Sequence, residues 1–224
     1  MSQANRIKIA KRIGQEIADG QIVNLGVGIP TLIPDYLGGK KLYLQSENGL
    51  LGMGPTPAED EIDMDLISAS KQPITAEIGA SIFDSTESFV MIRGGHIDVA
   101  VLGALQIDQT GEIANWAVPG KTILGVGGAM DLVVGAKKII VATTHCAKDG
   151  SLKLLKKLTY PTSGKRKVDM VVTEHAVFTF ANERMKLIEL NSELTLEELK
   201  AITEADYEIA LQTENMKYPI NILK

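Results

Sequence analysis

Residues 98–107, Asp-Val-Ala-Val-Leu-Gly-Ala-Leu-Gln-Ile, are nearly all apolar. A strand with one wet face alternates apolar and polar residues. An unbroken apolar run needs both faces covered, as in the middle of a parallel sheet with helices on either side. The segments 137–143 (Lys-Lys-Ile-Ile-Val-Ala-Thr) and 169–173 (Asp-Met-Val-Val-Thr) read the same way. Three such strands exclude an all-helical bundle and call for helical cover between them.

The remaining pattern supplies that cover. Ile7, Ala10, Ile13 and Ile17 recur at helical spacing, which predicts an amphipathic helix over 4–19 with Gly20 as its terminator. Residues 21–25 form a short strand running into the glycine loop 26–30. Residues 31–37 read as a short helix broken by Gly38-Gly39, and 41–45 as a second strand. Gly49, Gly52, Gly54, Pro55 and Pro57 make 49–57 a loop. Val177–Phe180 and Met185–Leu190 are the arms of a hairpin near the C-terminus, and Thr195-Leu-Glu-Glu198 is a capping box that starts a helix. The expected fold is α/β, an open, mainly parallel sheet flanked by helices. No linker divides the chain, so one domain over 1–224 is expected.

Composition narrows the function. Hydrophobic residues make up 45% of the chain but aromatic ones only 4%, which suits a Val/Ile/Leu core and suits base stacking poorly. Basic residues number 23 against 28 acidic, a net charge of −5, so nucleic acid is not an expected partner. The lone Cys146 excludes an internal disulfide, and the expected compartment is the cytoplasm. No stretch of about 20 apolar residues is present to span a membrane, and residues 1–19 carry no apolar signal-peptide core.

Several motifs carry less than they promise. Gly120-Lys121-Thr122 resembles the end of a phosphate-binding loop, but Asn115 stands where the first glycine belongs. Gly26-x-Gly28 follows a strand as a dinucleotide fingerprint should, yet Thr31 occupies the third glycine position. His96, His145 and His175 have no metal-ligand spacing, so no metal is expected. His145-Cys146 could be a base and its nucleophile, but neighbours on a strand face opposite ways, so a packed Cys beside a satisfied His is the better reading. Lys148, Lys153, Lys156, Lys157, Lys165, Arg166 and Lys167 stand against one acidic residue, Asp149. They could draw in an anion, but a solvated face is the simpler expectation.

Chemistry is expected at Gln45-Ser-Glu-Asn-Gly49, where a strand ends and a glycine-rich loop begins. Ligands of open α/β sheets gather beyond the carboxyl ends of strands, which makes Glu47 a candidate reactive carboxylate. The competing reading is an Asn-Gly hairpin turn with Glu47 merely exposed. The glycines and prolines that follow make a poor pairing strand.

The decapeptide Ser46-Glu-Asn-Gly-Leu-Leu-Gly-Met-Gly-Pro55 closely resembles the active-site signature of the B-type half of 3-oxoacid (acetate/butyrate/acetoacetate) CoA-transferases. Asn24-Leu-Gly-Val-Gly-Ile-Pro-Thr31 resembles that family's first glycine loop. Arg93-Gly-Gly-His-Ile-Asp98, Leu102-Gly-Ala-Leu-Gln106, Asn115-Trp-Ala-Val-Pro-Gly-Lys121 and Gly127-Gly-Ala-Met-Asp-Leu132 follow in the family's order. The likeness runs from about residue 4 to 210, with Val126 departing from the family's methionine.

The resemblance implies ping-pong transfer of coenzyme A between carboxylates through a glutamyl-CoA thioester on Glu47. It implies no cofactor, coenzyme A being a substrate. It implies oxyanion donors in Val27-Gly28 and Gly127-Gly128, with Asn48 and Gly49 orienting the nucleophile. Gly94, Gly95 and Asn115 are weaker candidates for pocket walls, while Trp116 and Met53 are expected to pack. The implied partner is a separate A-type CoA-transferase chain in an A2B2 assembly, and the acids exchanged stay open among acetate, butyrate, acetoacetate, succinate and 3-oxoadipate.

Overall fold

The computed structural model describes residues 2–123 and 125–211. The single-domain expectation over 1–224 thus includes Met1 and residues 212–224, which lie outside the described residues. In chain order the elements are α1 (Gln3–Gly14), β1 (Ile22–Leu25), β2 (Tyr43–Ser46), β3 (Leu50–Met53), β4 (Ala76–Ile82), α2 (Ser85–Arg93), β5 (Val99–Leu102), β6 (Gln106–Asp108) and β7 (Ile113–Ala114). Then follow α3 (Ala129–Gly135), β8 (Lys138–Ala142), β9 (Leu154–Leu155), β10 (Met170–Val172), β11 (Ala176–Ala181), β12 (Arg184–Leu190), α4 (Leu196–Ala201) and β13 (Tyr207–Ile209). Short 3-10 turns occupy Pro30–Tyr36 and Glu59–Glu61.

Ten strands form one sheet among the described residues, in the order β13-β12-β11-β10-β8-β5-β1-β2-β3-β4. The central run from β10 to β2 is parallel, and antiparallel ladders extend it on both sides. β6, β7 and β9 make a separate small sheet. The mostly parallel sheet with flanking helices is the α/β class expected from the apolar runs.

The central strands are buried on both faces, and their side chains divide alternately between two cores, as period-2 geometry demands. Ala100, Leu102, Ile139, Val141 and Val171 pack with Ile92 of α2 and Leu132 and Val133 of α3. Val99, Val101, Ile140, Met170 and Val172 pack with Ile9, Ala10 and Ile13 of α1 and with Ile33. Among the described residues no helix is long and apolar enough to cross a membrane.

Four boundaries differ from the sequence reading. The run 98–107 is not one strand. β5 stops at Leu102 and the chain leaves the sheet at Gly103, so β6 pairs with β7 and β9 instead. Gln106 is polar and buried, and segment 159–160 satisfies it. Its Nε2 donates to Thr159 Oγ1 at 2.7 Å, and its Oε1 accepts from the Thr159 and Tyr160 N–H groups. Residues 50–53 are a strand and not loop. Gly52 sits at a register shift between β3 and β4, so the glycine makes an irregularity in the ladder where a break was expected. Helix α1 ends at Gly14 and not near 19, because Lys40 Nζ caps the Gly14 and Ile17 carbonyls at 2.9 and 2.6 Å. Gly20 (φ +78°) serves instead as a left-handed turn into β1. The predicted helix over 31–37 is the 3-10 turn. The hairpin of β11 and β12 and the Thr195 capping box stand as expected.

Candidate active site

β1 lies between β2 and β5, and the chain crosses to opposite sides of β1 to reach them. This is a switch point, where an open α/β sheet leaves a crevice beyond its carboxyl ends. Glu47 lies just past the end of β2, half-buried, in the turn closed by the Gly49 N–H to Ser46 carbonyl bond (3.0 Å). The Asn-Gly turn is a hairpin, as the competing reading had it, but Glu47 is half-buried and lies beyond the carboxyl end of β2.

Gly49 has φ +124°, and a Cβ there would overlap the Phe83 carbonyl oxygen. Phe83 N–H returns a 3.0 Å bond to the Gly49 carbonyl, which locks the turn onto the end of β4. The excursion between β3 and β4 folds back over the turn. Ser46 Oγ accepts from the Ala69 N–H at 2.9 Å, and Asn48 Nδ2 donates to the Ile67 carbonyl at 2.7 Å. Asn48 thus anchors segment 66–69 and does not bond Glu47.

The side chain bonded to Glu47 is Asn24, on neighbouring β1. Its Nδ2 donates to Glu47 Oε2 at 3.2 Å, to Gln45 Oε1 at 2.7 Å and to the Gln45 carbonyl at 3.2 Å. Asn24 stands opposite Gln45 in the parallel ladder, which is what brings them together. Gln45 Nε2 in turn donates to Ser88 Oγ of α2 at 2.8 Å. Asn24, Gln45 and Ser88 are buried, and Asn24 Oδ1 has no hydrogen-bond partner among the described residues. An orphaned buried acceptor costs about 1–3 kcal/mol. The sequence signal for this relay was a polar residue inside each of two half-buried strands, Ile-Val-Asn-Leu and Tyr-Leu-Gln-Ser.

Gly128 approaches from the far side. A Cβ there would lie 3.2 Å from Glu47 Cγ, 3.4 Å from Glu47 Oε1 and 3.4 Å from Phe89 Cζ. Its φ of −81° suits any residue, so nothing in the backbone requires glycine; a Cβ would press on the Glu47 side chain. Gly127 is the opposite case, with φ +58° and no described residue within 4 Å of a Cβ. The Arg93–Asp131 pair (2.6 Å) ties α2 to α3 and so holds Gly128 against the hairpin. Val27 is 73% exposed and Gly28 (φ +99°) has open space beside it, both in the loop beyond β1.

Other expected site residues lie elsewhere. Gly94 and Gly95 close the C-terminus of α2, before β5 begins, so they sit at the opposite edge of the sheet from Glu47. Asn115 accepts from Ser163 Oγ at 2.6 Å, and Trp116 Nε1 donates to the Thr162 carbonyl at 3.2 Å.

In the basic segment, Lys148, Lys156, Lys157 and Lys165 are exposed, as expected of a solvated face. Lys153, Arg166 and Lys167 are half-buried and bonded. Lys153 Nζ reaches Thr143 Oγ1 (2.8 Å) and Thr144 Oγ1 (3.1 Å), and burial holds its ammonium below the usual lysine range. Arg166 caps the Val133, Ala136 and Lys137 carbonyls at the end of α3. Lys167 pairs with Glu112 at 2.7 Å.

Fold and site together define an open-sheet α/β protein that presents a carboxylate, a side-chain amide and a glycine at the carboxyl ends of its central strands. The coenzyme A transferase family model matches residues 6–201. The B chain of the Helicobacter pylori succinyl-CoA:3-ketoacid coenzyme A transferase is 50% identical over 206 residues, covering 92% of this chain and 100% of that protein. The beta chain of the Escherichia coli strain K12 acetate CoA-transferase is 50% identical over 204 residues, covering 91% and 93%. Among solved structures, an acyl-CoA transferase apoenzyme from Escherichia coli O157:H7 superposes with a TM-score of 0.74 at 25% identity. That alignment covers 94% of this chain but 42% of the longer one. The chain belongs to the coenzyme A transferase family.

Proposed function

We propose that this chain is the B-type half of an enzyme that moves coenzyme A between carboxylic acids, with Glu47 as the covalent nucleophile. The observation that carries the reading is the approach of Gly128 to Glu47, a Cβ position 3.2 Å from Glu47 Cγ. Two motifs remote in sequence, both part of the family likeness, meet at one carboxylate.

The Glu47 carboxylate attacks the thioester carbonyl of an acyl-CoA and expels CoA thiolate, leaving an acyl–glutamyl anhydride. The thiolate then attacks the glutamyl carbonyl and releases the acid, leaving a glutamyl-CoA thioester. A second acid runs the sequence backwards. Splitting the exchange into covalent stages keeps the thioester's free energy, which hydrolysis would lose. Each stage passes through an oxyanion, for which backbone N–H groups of Val27-Gly28 and Gly127-Gly128 are the proposed donors. No cofactor is required, and the proposed setting is the cytoplasm.

A separate A-type chain completes the site, in a closed assembly of two copies of each. The names of the relatives, each given as one subunit of a transferase, support a second chain, and so does the longer single chain of the solved transferase. The two curated relatives are equally similar and named for different acids, so a panel of acyl-CoA donors and acid acceptors identifies the pair used.

The test is to incubate this chain, assembled with its partner, with acyl-CoA alone and digest it. A CoA-sized mass is expected on the peptide carrying Glu47; an adduct on Glu59, Glu77 or Cys146 would overturn the assignment. Transfer should need the partner chain, and full turnover by this chain alone would overturn the two-chain reading.

A further inference from the structure

We propose that the Asn24 side-chain amide is a catalytic hydrogen-bond donor to Glu47, one that holds Oε2, leaves Oε1 to attack, and receives the charge that Oε2 takes up whenever the glutamyl carbon is attacked. The inference rests on the nucleophile reading above.

The two carboxylate oxygens have different surroundings. Oε2 accepts from Asn24 Nδ2 at 3.2 Å. Oε1 accepts no hydrogen bond from the described residues and lies beside Gly128, which has no side chain to cover it. It is therefore the oxygen left to meet the acyl carbon. Asn24 itself is fixed from three directions. With the Gln45 carbonyl, Gln45 Oε1 and Glu47 Oε2 all acceptors, the nitrogen must occupy that side of the amide. The Gln45–Ser88 bond carries the constraint into α2. The arrangement leaves Asn24 Oδ1 buried and without a partner among the described residues.

The reaction uses this asymmetry. Oε1 adds to the acyl-CoA carbonyl carbon and the C–S bond breaks, its electron pair leaving on the thiolate. The anhydride formed is bridged by Oε1, with Oε2 as the glutamyl carbonyl oxygen. The thiolate sulfur adds to Glu47 Cδ and the C=O pair moves onto Oε2. Collapse restores that carbonyl and breaks the Cδ–Oε1 bond, so Oε1 departs with the acid and the thioester keeps Oε2. An acceptor carboxylate attacks the same carbon, and Oε2 again takes up the charge. No proton or redox partner enters. A donor fixed on Oε2 thus serves every glutamyl-centred step, in addition to the backbone donors proposed for each stage.

The test uses the assembled enzyme and two variants, Asn24→Ser, which is too short to reach Oε2, and Asn24→Asp, which replaces the donor with an anion. Both should lower kcat about 100-fold, the range for loss of one oxyanion donor, with KM within about threefold. Relative to wild type, Asn24→Asp should recover activity as pH falls, because a proton shared by two carboxyls restores a donor. A purely structural role would move neither the KM–kcat split nor that profile. In wild type, the infrared stretch of the Glu47 thioester carbonyl should lie below that of a thioester in water, and Asn24→Ser should raise it. Adduct formation by Asn24→Ser within about threefold of the wild-type rate would overturn the inference. An unshifted wild-type carbonyl would do so too, even if neither variant folded. A wild-type adduct mapped away from Glu47 would sink the parent reading instead, so the two failures are distinct.

Discussion

Beyond the carboxyl ends of the parallel strands lie two groups of polar side chains, and they are finished differently. At the ends of β8 and β10, His145 is fully buried. Its Nε2 lies 2.8 Å from Thr203 Oγ1 and its Nδ1 3.1 Å from Thr173 Oγ1. Thr203 donates its own proton to the Leu199 carbonyl (2.8 Å), so the imidazole proton belongs on Nε2, while Thr173 Oγ1 accepts from the His175 and Ala176 N–H groups and shares its one proton between Nδ1 and the Ala176 carbonyl (both 3.1 Å). Burial, helped by nearby His175, lowers the His145 pKa to about 3 and keeps the ring neutral. The adjacent Cys146 thiol is pushed up, also by burial first. Every polar atom of the His145 ring is bonded, and none is offered to a substrate. Around Glu47 the pattern reverses. The carboxylate is half-exposed, one amide serves three acceptors, and a buried carbonyl oxygen goes unpaired. The fully bonded His145 ring holds the fold together. The His175 Nδ1 beside it, unpaired among the described residues, means that an orphaned buried atom does not by itself mark a reactive site; at Glu47 the difference is the accessible carboxylate bonded to the amide.

The strongest way to break this contrast is Glu47→Gln, which keeps the shape and removes the proposed nucleophile. Transfer by the assembled enzyme should fall at least ~1,000-fold, about 4 kcal/mol of barrier, with little change in melting temperature. A loss under tenfold would remove Glu47 from the mechanism. Next comes Gly128→Val. Its backbone angle accepts valine, so the effect should come from branched bulk pressed against Glu47 and Phe89. Turnover should drop roughly 100-fold while stability changes by less than about 1.5 kcal/mol. Parallel loss of both would make Gly128 a plain turn residue.

The smallest effect sharpens the other side. The folded pKa of His145 lies below its unfolded value of 6.5, so the unfolded chain binds the proton more readily. Stability contributed by the neutral ring is present above about pH 6.5 and declines as pH falls toward 3, by about 2 kcal/mol at pH 5. His145→Gln, compared with wild type in melts across that window, should lose this part of the acid sensitivity. Identical pH slopes would mean that the ring titrates normally.

Legibility in the sequence followed the range of the interactions. Helix caps and the β11–β12 hairpin depend on residues a few positions apart, and both were readable. β3 was not, although it pairs with β2 through a local turn, because Gly49, Gly52 and Gly54 read as loop and its second ladder, to β4, forms only after the excursion through residues 54–75. The end of α1 was misplaced for a similar reason, since Lys40 caps it from another part of the chain. Within the site, the motif singled out Glu47, but not the side chain that bonds it. Motif proximity suggested Asn48; parallel register put Asn24 beside the carboxylate.

The sequence by itself determined the class of fold, because runs such as Val99–Leu102 and Lys138–Ala142 have no stable place except between two apolar layers. It also determined which carboxylate to consider, through the motif around Glu47. Only the tertiary structure decided what surrounds that carboxylate. Asn24 and Gln45 face each other through the β1–β2 ladder, Ser88 arrives from α2, and Gly128 arrives at the head of α3. Which groups meet there depends on strand register and on how α2 and α3 pack across the sheet. Those are set by burial and hydrogen bonding summed over the whole chain, which no local stretch of residues encodes.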